Sequence, residues 1–297
     1  MHKPLVTIIC TCYNHENYVI EALNSIKNQT YSNVELIIVD DCSSDNSIKV
    51  IEKWILKHPN IKFIKNNTNL GLTKSFNNAI TYSKGEYLMD LAADDLLSPE
   101  CIEILINKYI NSKKNNLGII YSNATLINEK GDFISIFFNE IMIHQIKKSI
   151  KKNFYRSILS DSAYMCSVSA LYKRSVFENL QGYDERLYFE DLDYWLRVAK
   201  NYKIEFIPEI LVHKRVLKNS MGNGFFVKSE HTKKLHTSFY IILKKAYLLN
   251  TSCDEDYALL KRIYKQSRWA IKTINLKYLL RYTLFYIKTL IRVIFTK

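Results

Sequence analysis

The chain has 297 residues and 47% hydrophobic content, enough for a sizeable core and too apolar for a disordered protein. Its formal net charge is +13, yet residues 226–297 hold 15 Lys/Arg against 4 Asp/Glu, while the first 225 hold 27 against 25. The basic excess therefore belongs to the tail, which argues against nucleic-acid binding by the main body. Six scattered cysteines without zinc-type spacing argue for free buried thiols.

In chain order, residues 6–10 read as a strand and 18–28 as a helix, with Val19, Ala22, Leu23 and Ile26 at helical spacing. Residues 34–39 read as a strand, and 47–57 as a helix behind the cap-like Ser43-Ser44-Asp45-Asn46. A short strand over 61–64, a helix over 72–83 and a strand over 87–91 follow. Ser98-Pro99-Glu100 predicts another helix, with Ser98 as cap and Pro99 in its first turn. Residues 117–140 predict strands around a Glu129-Lys130-Gly131-Asp132 turn, 165–173 a strand and 192–202 a helix, and 206–216 is a further apolar stretch. Residues 146–155 are basic and fit neither period, and beyond about residue 226 the pattern is helical. The N-terminus lacks a signal peptide's apolar stretch, and no run approaches the ~18 uncharged apolar residues of a membrane span. A cytoplasmic location is the expectation.

The alternation over residues 5–90 predicts an α/β fold with a parallel sheet and right-handed crossovers. Ligands in such sheets bind beyond the carboxyl ends of the strands. Thr11-Cys12-Tyr13-Asn14, Asp40-Asp41 and Asp94-Asp95 all fall at or just after such ends and should converge. Adjacent carboxylates there are costly unless a cation, a donor or a ligand neutralises them. A third acidic pair, Glu190-Asp191, heads the helix over 192–202. There is no G-x-G-x-x-G after the first strand and no G-x-x-x-x-G-K-[ST], which disfavours a dinucleotide dehydrogenase or a P-loop enzyme. Carboxylates hold a diphosphate only through a divalent cation, and they accept hydrogen bonds from a ribose or from a uracil N–H. A receiver-like phosphoryl acceptor built on Asp40-Asp41 would be much shorter and would leave Glu190-Asp191 idle.

Val6 to Tyr18, Ser25-Ile26-Lys27-Asn28-Gln29-Thr30-Tyr31 and Glu35 to Ser47 follow one another in an order that resembles the opening of glycosyltransferase family 2. Asn69-Leu70-Gly71 with Asn77, Lys84-Gly85-Glu86-Tyr87, Asp94-Asp95 with Pro99-Glu100, Gly182-Tyr183-Asp184-Glu185, and Glu190-Asp191 with Tyr194-Trp195-Leu196-Arg197 continue it. The resemblance spans about residues 4–221. It implies a GT-A fold, a Rossmann-like, mostly parallel sheet flanked by helices, here with a C-terminal helical tail. Residues 1–225 would form the GT-A domain, 1–100 its nucleotide-sugar half and 101–225 its acceptor half, with 226–297 a basic helical tail.

The resemblance further implies an inverting hexosyltransferase-type enzyme that uses a nucleotide sugar, a UDP-sugar in the first instance, and a divalent cation, Mn²⁺ or Mg²⁺. Thr11 and Tyr13 would flank the base, Asp41 would accept from its N–H, and Lys74 would reach the diphosphate. Asp94 and Asp95 would serve metal and ribose, with their order open. Asp191 would be the general base, with Glu190 beside it. Each has a plainer alternative: strand-end packing for Thr11 and Tyr13, a turn cap for Asp41, a solvated loop for Asp94-Asp95, a solvated helix face for Lys74, and a helix N-terminus decorated with acids for Glu190, Asp191 and Asp193. Ala92 stands where the family often has another Asp, and Leu217 stands where many members have a His; Arg215, Lys218 or His213 would have to compensate. These departures keep open an alternative, a catalytically weakened carbohydrate-binding or assembly protein of the same fold.

From residue 277 onward, Lys277, Arg281, Lys288 and Arg292 fall within about 60° on a helical wheel beside Leu, Ile, Phe, Tyr and Val. That pattern predicts either a helix lying in the inner membrane surface or one packed on the body or on a partner. The membrane choice suits a surface polysaccharide or lipid-linked saccharide as acceptor.

Overall fold

A computed structural model describes residues 3–217 and 229–295. They form two compact units, one of Met1–Lys147, Cys166–Tyr183 and Tyr202–Leu217, the other of Lys148–Met165, Asp184–Asn201 and Lys218–Lys297.

The first unit is built on one mixed sheet. Its strands are β1 (Val6–Cys12), β2 (Val34–Asp40), β3 (Lys62–Lys65), β4 (Tyr87–Ala92), β5 (Leu96–Leu97), β6 (Leu117–Ile127), β7 (Phe133–Ile136), β8 (Leu171–Lys173) and β9 (Lys203–Arg215). They lie in the order β3-β2-β1-β4-β8-β6-β9-β5, with β7 beside β6. The first four run parallel, as the strand-helix alternation predicts, and β8 meets β4 antiparallel. Helices α1 (Val19–Lys27), α2 (Ser47–Ile55), α3 (Leu72–Ile80) and α4 (Cys101–Ile110) supply the early connections. All seven residues of β1 are buried, and its apolar side chains each contribute roughly 1.5–3 kcal/mol on leaving water. Gly85 is required for the approach of β4's start to β1: a Cβ there would lie 2.5 Å from the Thr7 nitrogen and 2.6 Å from its Oγ1.

Three sequence expectations change here. Ser98 does not cap α4: its N–H donates to the Leu211 carbonyl at 2.9 Å, extending the β5–β9 ladder, and the cap position is Glu100. Within 165–173 only Leu171–Lys173 is a strand, because the β6 edge is shared between β8 and β7. The basic stretch 146–155 is helical, in α5 (Glu140–Lys152) and α6 (Phe154–Ser160), its lysines on the solvated side. All six cysteines are free thiols, and Cys10, Cys12, Cys101 and Cys166 are buried.

The second unit gathers α6 and α8 (Asp191–Asn201) with the long helices α9 (Glu230–Leu249), α10 (Cys253–Lys272) and α11 (Leu276–Phe295); α7 (Arg174–Asn179) belongs to the first. Ser229 opens α9 with a reciprocal capping box to Thr232, and Ser252 caps α10. Its core includes a buried polar centre. His236 shares hydrogen bonds with Tyr282 Oη at 3.2 Å and Thr273 Oγ1 at 3.0 Å, and its ring lies against Trp269 and Tyr278. Burial pushes the His236 imidazole down to about 4. Among the described residues no helix is long and apolar enough to cross a membrane.

Candidate active site

The carboxyl ends of β1, β2 and β4 bring the expected donor-side residues together. Register places Thr11 between Val39 and Ala92, and Cys12 beside Asp40. The Asp41 N–H donates to the Cys12 carbonyl and the Ala93 N–H to the Thr11 carbonyl, each at 2.9 Å, so the loops carrying Asp41 and Asp94 leave the sheet side by side. Asn14 and Cys42, just past β1 and β2, sit at φ 58° and 64°, backbone that turns both loops sharply. Thr11 is buried, Tyr13 is 46% exposed, and Lys74 stands on the exposed face of α3.

Asp41 is a structural anchor as well as a site candidate. Its Oδ1 accepts from Asn66 Nδ2, the Leu70 N–H and Ser75 Oγ, and its Oδ2 accepts the Gly71 N–H, all within 2.9 Å. Gly71 holds φ 82° at the N-cap of α3, which lets this carboxylate reach the helix start. Of these four bonds Oδ1 takes three and Oδ2 one, so acceptor capacity toward a ligand N–H is greater at Oδ2.

Asp95 is 2% exposed, and its Oδ1 accepts the Arg215 N–H at 2.8 Å. Burial, reinforced by neighbouring Asp94, pushes its carboxyl up to about 8 against the opposing pull of Lys214 and Arg215. Asp94 Oδ1 lies 3.8 Å from His15 Nδ1, a buried ring nitrogen with no hydrogen-bond partner among the described residues. The Arg215 guanidinium is fully engaged: it donates to the carbonyls of Asp94, Asn128 and Glu129 and pairs with Glu21 at 2.6 Å. It is therefore not available to a diphosphate in place of the missing His. His213 is likewise committed, to Thr125 Oγ1 at 2.7 Å and Ser98 Oγ at 3.4 Å, with burial lowering its pKa. Lys218, with Asn219 and Ser220, lies outside the described residues.

Among the described residues no three His, Cys, Asp or Glu side chains gather as a complete cation cage. Two adjacent buried carboxylates, the deeper one with its charge poorly compensated, instead match a divalent ion that takes one or two carboxylates and completes its shell with substrate phosphates and water.

Three residues here were not assigned from sequence. His15 lies in the loop after β1 and faces Asp94, but a lone His carried no signal. Lys214 precedes Arg215, and the antiparallel pairing of β9 with β5, which Asp95 immediately precedes, brings it near that carboxylate. Asp90, half-buried on β4, receives the Tyr183 hydroxyl at 3.4 Å, and burial raises its carboxyl to about 7.

In the second unit, Asp191 begins α8 and is half-buried. Of the three acids at this helix start, Asp193 is consumed structurally, paired with Arg197 at 2.8 Å and Lys245 at 2.5 Å. Lys245 also pairs with Asp184 at 2.9 Å. Arg262 of α10 is buried and donates to the carbonyls of Ile158 and Leu159 at the end of α6; burial lowers its pKa to about 10, offset by the charges of Asp161 and Asp191. A buried guanidinium thus shares the surroundings of Asp191.

This strand order, with acids at the carboxyl ends of its parallel half, is the GT-A fold of glycosyltransferases. Staphylococcus aureus TarS in complex with UDP matches with TM-score 0.63 at 19% identity, over 87% of this chain and 70% of that one. The mannosyltransferase PcManGT of Pyrobaculum calidifontis, in complex with GDP-Man and Mn²⁺, matches with TM-score 0.62 at 16% identity, over 100% of this chain and 89% of that one. Residues 7–181 match the family model of Glycosyl transferase family 2. A glycosyltransferase of Methanocaldococcus jannaschii is 33% identical over 220 residues, 73% of this chain and 72% of the relative. The chondroitin synthase of Escherichia coli is 26% identical over 248 residues, 82% of this chain and 34% of that protein. The chain belongs to glycosyltransferase family 2.

Proposed function

We propose that the chain is an inverting glycosyltransferase that moves a hexose from a UDP-sugar to a hydroxyl of a growing surface polysaccharide or lipid-linked glycan. It would do so in the cytoplasm, at the inner face of the membrane. The observation that carries this reading is the meeting of Thr11, Asp41 and the Asp94-Asp95 loop at the carboxyl ends of three parallel strands. The likeness to TarS bound to UDP and to a chondroitin synthase supports the donor class and a glycan acceptor. We assign residues 1–225 to transfer and 226–297 to attachment.

Thr11 and Tyr13 would pack on the base, Asp41 Oδ2 would accept its N–H, and Lys74 would approach the phosphates. Asp94 and Asp95 would hold Mn²⁺ or Mg²⁺, which when bound would neutralise charge on the departing nucleoside diphosphate. The acceptor oxygen forms a bond to the anomeric carbon as the bond from that carbon to the diphosphate oxygen breaks. Asp191 takes the acceptor proton, with Glu190 beside it. One displacement inverts the centre, so no second carboxylate nucleophile is required.

One observation favours the alternative, a catalytically weakened carbohydrate-binding or assembly protein of this fold. Ala92 and Leu217 lack the family's polar groups, and Arg215 and His213 are committed elsewhere. The two readings separate in a single assay: release of nucleoside diphosphate from UDP-sugars with Mn²⁺, followed beside the thermal midpoint. Turnover supports the enzyme, whereas a donor-induced rise in midpoint without turnover supports the alternative.

A further inference from the structure

The tail's basic stripe does not all face outward, and its apolar residues do not all face inward. Helix α11 buries Tyr278, Tyr282, Phe285, Thr289 and Val293. Arg292 turns toward α9 and α10, donating from Nε to Asp256 Oδ2 at 2.7 Å and from Nη1 to the Tyr247 carbonyl at 2.7 Å. Arg281 lies over the rings of Tyr240 and Tyr278. Most of what remains outside is apolar. Leu276, Leu280, Leu284, Ile287, Ile291 and Ile294 are each 48% to 72% exposed. At ~100° per residue they fall within about 80° of one another, a stripe ~27 Å long at ~1.5 Å per residue. Ile271 and Ile274, at the turn from α10, are also exposed and add to the apolar surface at that end. Lys277 and Lys288, both exposed, lie along one edge of the stripe.

A surface this apolar on a water-facing helix calls for an occupant. Charge selects it. Residues 257–297 contain ten Lys/Arg, from Lys261 to Lys297, and no Asp or Glu. A second copy seated on this face would bring two acid-free, cationic segments together, whereas an anionic surface is attracted to them. The helix is also amphipathic in the sense needed to lie along a bilayer rather than cross it.

We propose that the outer face of α11, with Ile271 and Ile274, docks on an anionic lipid bilayer. The apolar stripe lies at the headgroup–acyl boundary, and Lys277 and Lys288 meet lipid phosphates. This rests on the membrane-surface reading above and gives it a face and a lipid chemistry. It also explains why the deeper cations are paired internally: Arg281 and Arg292 brace the helix, and the lysines at its rim are left to the lipid.

The test is co-sedimentation of the full chain with phosphatidylcholine vesicles and with vesicles containing about a third phosphatidylglycerol. Binding to the anionic vesicles only, weakened at least tenfold by Leu280→Glu with Ile287→Glu and several-fold by Lys277→Gln with Lys288→Gln, is expected. Unchanged melting curves would show that these surface variants fold. Failure of the wild-type chain to bind anionic vesicles overturns the proposal, as does binding indifferent to the Leu280/Ile287 change. A concentration-dependent dimer dissolved by that change, without vesicle binding, also overturns it and assigns the face to a second copy. UDP-sugar turnover measured without vesicles separates this failure from failure of the enzymatic reading.

Discussion

Asp95 Oδ1 accepts the backbone N–H of Arg215 at 2.8 Å, and the Arg215 side chain returns to the Asp94 carbonyl at 3.0 Å. One residue at the end of β9 thus clasps both members of the acidic pair, while its remaining donors tie α1 through Glu21 and the β6–β7 turn through Asn128 and Glu129. The guanidinium is 1% exposed, so these bonds are made in a largely desolvated place.

Replacing Arg215 should therefore loosen the acidic loop before it touches chemistry. Arg215→Met leaves three carbonyls without their donor and should cost about 2 kcal/mol or more. Urea unfolding would read this as a lower midpoint with an unchanged slope. Arg215→Lys should recover little, because an ammonium cannot span the fork's partners.

Asp41→Ala removes the acceptor for four donors at the start of α3. A loss of about 2 kcal/mol is expected from those groups, together with a smaller UDP-induced rise in thermal midpoint. A variant that melts like the wild type would contradict the anchoring role.

Gly85→Ala forces a methyl against the Thr7 backbone. Because the obstacle is main chain, β1 and β4 must part, at a cost of roughly 1–3 kcal/mol. The far-ultraviolet spectrum should be retained while the thermal midpoint falls.

His236 predicts a pH dependence of the helical unit. Its folded pKa, about 4, is below the ordinary 6.5, so the unfolded chain binds the proton more readily in between. The stability it contributes is full above about 6.5 and is lost as pH falls toward 4, by about 3 kcal/mol at the low end. Unfolding of the His236→Gln variant should be flatter across that window, and an unaltered pH profile would remove His236 as its cause.

The meeting of the strand-end residues was legible because parallel strands bring their carboxyl ends to one edge of the sheet. Once 6–10, 34–39 and 87–91 read as strands, Thr11, Asp41 and Asp94 had to meet. What stayed hidden depends on distant pairing. The two-residue β5 has no periodicity and exists only through Leu96–His213 and Leu97–Val212, and that pairing turned Ser98 from a cap into a ladder residue. Arg215 looked available to phosphate because sequence does not reveal which cations are buried. The wheel of α11 gave the angular order of its side chains correctly, but not which arc faces α9 and α10. His15 and Asp90 were silent for the same reason, since a single titratable residue has no pattern until its neighbours arrive.

The most direct measurement is UDP release from UDP-sugars with Mn²⁺ by the wild-type chain and by Asp191→Asn, with donor binding followed by thermal shift on the same samples. Loss of a positioned base predicts a fall in turnover of about 10²–10⁴-fold in the variant, with the donor-induced rise in midpoint retained. Full turnover in Asp191→Asn, or no donor-induced shift in either protein, would contradict the assignment.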